Sequence, residues 1–224
     1  MQNQSRHVDT KDGAAVYSPA VLKLYDWWVL GISNRYAWGC PTRSVLLPFY
    51  RRHLSGDHLD VGVGTGFYPA HGGMPATQKI SLLDLNRNSL AAACARIAHL
   101  HPVAIEDDVL HPSGALGARQ YDSISLFYLL HCLPGSMEEK AAVFALLSRH
   151  LTKNGVLYGA TILGDEAGHN WFGGKLMKVY NKKGIFGNAG DTLEGLKSAL
   201  GRHFAETTVE RHGKVALFTA RLGA

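Results

Sequence analysis

Three acids and three glycines carry the chemistry that this chain suggests. The stretch His58-Leu59-Asp60-Val61-Gly62-Val63-Gly64-Thr65-Gly66-Phe67-Tyr68 is a short apolar run ending in Asp-Val, then glycines at every second position. That order reads as a strand, a tight turn and the start of a helix. Gly62 and Gly64 suit the turn, where a Cβ would block a positive φ or a ligand pressed against the backbone. The helix N-terminus then offers free N–H groups to that ligand. Two more acids close later apolar runs: Asp84 in Lys79–Leu85, and Asp108 after Val103-Ala104-Ile105. An acid after the second strand of an open α/β sheet suits a ribose, because a carboxylate accepts two hydrogen bonds from a diol.

The spacing narrows the ligand. A dinucleotide site has G-x-G-x-x-G, with its third glycine giving close helix–strand packing, and here that place holds Phe67. No Lys-Ser/Thr pair follows, which excludes a P-loop. The remaining pattern, D-x-G-x-G-x-G, resembles the first motif of class I S-adenosylmethionine (SAM)-dependent methyltransferases. Two later stretches also resemble that family: Tyr121 to Leu133 its fourth motif, and Leu151 to Ala160 its next turn and strand. The resemblance spans residues 58 to 162 and implies SAM as the ligand. Asp60, Gly62, Gly64, Gly66, Asp84 and Leu85 would hold its amino-acid tail and ribose. Asp108 and Val109 would meet the adenine, with Phe127 nearby.

Composition is compatible with one α/β domain and a substantial core. The chain has 224 residues, 46% hydrophobic and 18% charged. The net charge of +5 is modest, and Arg51-Arg52 and Lys182-Lys183 are isolated pairs rather than a nucleic-acid footprint. Three scattered cysteines fit neither a disulfide frame nor a zinc site. The polar N-terminus and the absence of a long apolar run suggest a cytoplasmic protein without a membrane segment, monomeric or homodimeric.

The elements that must position these residues follow from periodicity. Ser18-Pro19 opens a helix from Ala20 to about Leu30, followed by a loop to Thr42, which caps a helix Arg43–His53. Helices are expected over Asn86–Leu100 and Pro134–His150, a short piece over Lys175–Tyr180, and another from Asp191-Thr192. Residues 204–212 and 214–221 read as a closing hairpin. Together these predict a Rossmann-like seven-stranded methyltransferase sheet with helices on both faces. Residues 1–54 are expected to form an N-terminal helical lid, and residues 55–224 the SAM-binding domain. Tyr25, Trp28, Asn34 and Trp38 are the lid candidates, because aromatic faces attract a sulfonium.

Methyl transfer is an in-line displacement on an activated donor, so positioning carries most of the catalysis and no fixed triad is required. His131, at the end of the fourth strand, is the candidate base. His71 and His169 are weaker ones, and Tyr180, Asn181 and Asn188 are candidate anchors in the roof. No metal motif is evident. The reading is a SAM-dependent methyltransferase acting on a small molecule of secondary metabolism. One alternative resembles azetidine-2-carboxylate synthases, in which the amine of SAM attacks its own γ-carbon. A non-catalytic SAM-binding protein is the third.

Overall fold

The computed structural model describes residues 26–164 and 168–223, with side chains from Leu30 onward. Tyr25 therefore lies outside the described residues, as does the side chain of Trp28. Seven strands form one sheet: β1 Asp57–Val61, β2 Lys79–Asp84, β3 Val103–Glu106, β4 Tyr121–Phe127, β5 Leu151–Ile162, β6 Glu206–His212 and β7 Val215–Arg221. Their order is β3-β2-β1-β4-β5-β7-β6. Strands β1 to β5 run parallel, while β7 is antiparallel to both β5 and β6. The chain winds outward from β1 to β3, then returns to place β4 on the other side of β1. Ligands bind at such a reversal, beyond the carboxyl ends of the strands.

Among the described residues six α-helices flank the sheet: α1 Leu47–His53, α2 Phe67–His71, α3 Arg87–Arg96, α4 Met137–Ser148, α5 Trp171–Lys182 and α6 Leu193–Gly201. Their starts follow local chemistry. Asn86 caps α3 by accepting from the Asn88 and Ser89 N–H groups. Ser136 and Glu139 form a capping box on α4, and Thr192 caps α6. On one face α4 and α6 bury Phe144, Leu147, Leu196 and Leu200 against Leu126, Leu157 and Phe218. Each such side chain stabilises by roughly 1.5–3 kcal/mol on leaving water.

Three boundaries differ from the sequence reading. The expected loop from residue 31 is helical instead, with π-type turns over Asp26–Ala37. Thr42 does not cap the next helix. Its hydroxyl donates to the Leu30 carbonyl at 2.5 Å and accepts from Asn34 Nδ2 at 2.8 Å, tying that helical segment to the turn below it. Helix α5 runs over twelve residues rather than six, starting at the Asn170 cap despite Gly173 and Gly174. Gly173 has a packing reason: a Cβ there would stand 2.8 Å from the Ala37 carbonyl oxygen.

The N-terminal region shares its core with the sheet. Trp38, Leu46 and Tyr50 pack with Phe127, Tyr158 and Leu217 in one cluster. Its described residues therefore form a wall of the sheet domain.

Candidate functional site

The first turn is built by its glycines. Gly62, Gly64 and Gly66 all have positive φ, at 71°, 52° and 70°. Each meets a different neighbour. A Cβ on Gly62 would stand 2.9 Å from Leu129 Cδ1, in the loop after β4, and one on Gly66 would stand 2.8 Å from Ala93 Cα, in α3. At Gly64 nothing lies within 4 Å. Close helix packing thus falls to Gly66, while Gly64 borders open space. The helix that follows, α2, is a single turn of five residues and not the long helix that such motifs suggest.

That open space is a cavity of about 380 Å³ at the carboxyl ends of β1, β2 and β4. Its lining includes Gly62, Gly64, Asp84, Leu85, Asp108 and Val109, and the aromatic and aliphatic side chains of Phe67, Tyr68, Phe127, Tyr128, Leu133 and Phe186. Among the described lining residues there are four acids (Asp60, Asp84, Asp107 and Asp108) and no lysine, arginine or histidine. A wall of that sign attracts a cation and repels a phosphate.

The acids are held individually. Asp84 Oδ1 accepts from the Asn86 N–H at 2.8 Å, and Oδ2 from the Gly64 N–H at 3.4 Å. Burial pushes its carboxyl up to about 6; the two N–H bonds oppose that rise and the Asp60 charge adds to it. Asp60 Oδ2 accepts from the Tyr50 hydroxyl at 2.9 Å, and that hydroxyl also lies 3.1 Å from His58 Nε2. Asp108 Oδ1 accepts from the Leu110 N–H at 2.8 Å, with His111 Nδ1 at 3.2 Å from Oδ2. Neighbouring Asp107 is fully engaged in its own loop, accepting from Asp108, Ser113 and Ala115 N–H groups.

Comparison with known proteins decides the family. A methyltransferase-domain model matches residues 59–157. The Escherichia coli K12 protein YbcY is 50% identical over 196 residues, covering 85% of this chain and 98% of its own. The Physcion biosynthesis cluster O-methyltransferase of Aspergillus chevalieri is 40% identical over 211 residues, covering 94% of this chain and 95% of its own. Among solved structures, the complex of DhpI with S-adenosylhomocysteine (SAH) matches with a TM-score of 0.68 at 15% identity. That match covers 96% of this chain and 97% of the other.

The chain is a class I SAM-dependent methyltransferase.

The cavity fits that donor. SAM carries a sulfonium and an ammonium, which suit a wall with four carboxyls and no described cationic side chain. Open space over Gly64 leaves room for its amino-acid tail, and the carboxylate of Asp84 is placed to accept from a ribose diol. When bound, SAM supplies a methyl group on positively charged sulfur.

Of the expected donor residues, Asp60, Gly62, Gly64, Asp84, Leu85, Asp108, Val109 and Phe127 all line the cavity. Gly66 does not; it belongs to the packing of α3. Trp38 is a correction as well. It is buried away from the cavity, edge-on to His169 with centroids 5.5 Å apart. Asn34 is likewise fully buried, donating to Thr42.

The catalytic candidates move most. His131 is 2% exposed and absent from the cavity wall. Its Nδ1 accepts from the Ile162 N–H at 3.3 Å, and its ring packs on Phe186 at 4.6 Å. Burial, helped by the Lys140 charge, pushes the imidazole down to about 3, too weak to serve as a base near neutral pH. Tyr180 packs behind the wall against Phe186, with centroids 4.9 Å apart. Asn181 donates to the Met177 carbonyl and to Asn188 Oδ1, and Asn188 donates to the Ile162 carbonyl at 2.9 Å. His71 is exposed and bonded to the Phe67 carbonyl, and His169 Nε2 donates to the Gly164 carbonyl. Sequence reasoning missed Tyr50 and Tyr68, which look like ordinary core residues until the fold brings them beside Asp60 and Phe127. Among the described residues no group of three His, Cys, Asp or Glu side chains converges as metal ligands, and no helix is long and apolar enough to cross a membrane.

Proposed function

We propose that this methyltransferase acts on the hydroxyl oxygen of a flat, largely apolar phenol. The observation that carries the reading is the aromatic and aliphatic part of the lining: Tyr68, Phe127, Tyr128, Leu133 and Phe186, with no basic side chain among them. Such a surface takes an aromatic face and offers no described histidine, lysine or arginine. An acceptor that brings its own acidity suits it. A phenol, with a pKa of about 10 as in tyrosine, ionises far more readily than an aliphatic alcohol. Its proton leaves to solvent, its oxygen forms the new bond to the methyl carbon, and the carbon–sulfur bond breaks to leave neutral SAH.

The protein's part is alignment and exclusion of water. Phe127 ends β4 and Tyr128 follows it, and both line the cavity that Asp60 and Asp84 also border. Holding two reactants in line there is worth roughly 7–11 kcal/mol. The name of the Aspergillus chevalieri relative, an O-methyltransferase, supports oxygen as the acceptor atom.

The test is incubation of the purified protein with SAM and a panel of naphthols, dihydroxyanthraquinones and aryl amines, analysed by mass spectrometry. Acceptor-dependent SAH together with an aryl methyl ether is the expected result. Methylation of the amines alone would refute the phenol. Methylthioadenosine and a cyclic amino acid from SAM alone would restore the cyclase reading.

A further inference from the structure

The acceptor wall contains one strip of irregular chain, Gly184–Gly187, which brings Phe186 to the cavity between α5 and α6. Nothing in its composition makes it rigid, yet every turn of it is tied. The Ile185 and Phe186 N–H groups donate to the Tyr180 carbonyl, and the Gly187 N–H donates to the His131 carbonyl at 2.9 Å. The strip's last carbonyl, Gly187 O, accepts at 2.9 Å from Lys140 Nζ. Lys140 lies on α4 and is 0% exposed. It pairs with Asp191 Oδ2 at 2.7 Å, itself 1% exposed, just beyond the strip.

A fully buried lysine is unusual, and a buried pair is weak evidence for stability, because two charges lose their hydration to make it. A leucine or methionine on α4 would fill the same space. What an apolar side chain lacks is the ability to hold Gly187 O and Asp191 at one point, thereby fixing where the strip ends. Phe186 is packed from behind by His131, Tyr180 and Trp38, at 4.6, 4.9 and 6.2 Å between centroids. With the strip's end pinned, that ring has one position facing the cavity.

We propose that Lys140 is a positioning residue for the acceptor: by joining Asp191 to the Gly187 carbonyl it fixes Phe186 as the wall against which a flat substrate lies. The proposal rests on the acceptor reading above. It assigns no role in donor binding, since neither Lys140 nor Asp191 lines the cavity.

The test separates positioning from stability with three variants: Lys140→Met, Asp191→Leu and the double variant. Each single change strands a buried charge and should lower the melting temperature. The double variant has none to strand, so its melting temperature should recover most of the loss. Three readouts are taken on protein saturated with SAH: calorimetric affinity for SAH, fluorescence-detected affinity for 2-naphthol, and hydrogen exchange of the 185–187 amides. In the double variant we expect SAH affinity within twofold of wild type, 2-naphthol affinity at least fivefold weaker, and exchange of the 187 amide at least tenfold faster. Recovery of all three along with stability would show the pair to be structural only and overturn the proposal. Equal loss of SAH and naphthol affinity would also overturn it. If the wild type fails to bind naphthol, the phenol reading falls, while the exchange of the 187 amide still decides whether Lys140 holds the strip.

Discussion

Gly64 and Gly66 stand two residues apart in left-handed backbone, yet alanine at each should fail differently. A Cβ residue in that region costs roughly 1–2 kcal/mol. At Gly66 the new methyl would also meet Ala93 Cα at 2.8 Å and Ala93 Cβ at 2.9 Å. Those atoms belong to α3, where backbone must move, and overpacking adds about 1–3 kcal/mol. Gly66→Ala should therefore lose roughly 2–5 kcal/mol of folding stability. At Gly64 nothing lies within 4 Å, so only the backbone term applies and the stability loss should stay near 1–2 kcal/mol. The Gly64 methyl would instead occupy space at the cavity wall that the donor's tail needs. Urea unfolding measures the first effect and calorimetric titration of SAH the second. Gly64→Ala should weaken SAH by at least about tenfold, or 1.4 kcal/mol. The folded fraction of Gly66→Ala should bind nearly as wild type. Equal destabilisation of the two variants, or full SAH affinity in Gly64→Ala, would refute the division of labour between these glycines.

Other outcomes follow from the same site. Burial holds the Asp84 carboxyl near 6, and with its ionised form proposed as the ribose acceptor, SAH affinity should be flat above pH 7 and fall as pH drops through 6; titrations from pH 5 to 8 test this. A carboxyl pKa raised on folding opposes stability once pH exceeds the raised value, so Asp84→Asn should stabilise the ligand-free protein by about 1–3 kcal/mol at pH 8 while weakening SAH. Unfolding curves at pH 8 that move the other way would contradict it. Tyr50→Phe removes the 2.9 Å donor to Asp60 and should cost about 1–3 kcal/mol in urea unfolding. His131→Asn should lower stability yet leave the shape of the pH–rate profile unchanged; loss of its low-pH limb would show that His131 acts as the base.

Parts of the site that depend on local sequence were readable in advance. The glycine turn and Asp84 act on neighbours in the chain or at strand ends, and the structure brings Gly62, Gly64 and Asp84 to one cavity, while Asn86 and Thr192, expected only at helix starts, cap those helices. Residues whose role depends on a distant element were not. Gly66 gains its meaning from Ala93, and Trp38 and His131 are drawn into the core by Phe186. The length of α5 was hidden because two glycines, Gly173 and Gly174, looked like loop. At Gly173 the cause is the close approach of Ala37, which no local pattern reveals. Lys140 gave the least signal: a lysine in an amphipathic helix reads as solvated, and only the fold turns it onto Gly187 and Asp191.

The most direct measurement is a crystal structure of the protein with SAH bound. The expected density puts the ribose hydroxyls on the Asp84 carboxylate, the amino-acid tail over Gly62–Gly64 and the sulfur toward Phe127 and Tyr128. A nucleoside bound elsewhere, or one in this cavity with its ribose away from Asp84, would contradict the assignment of the donor site.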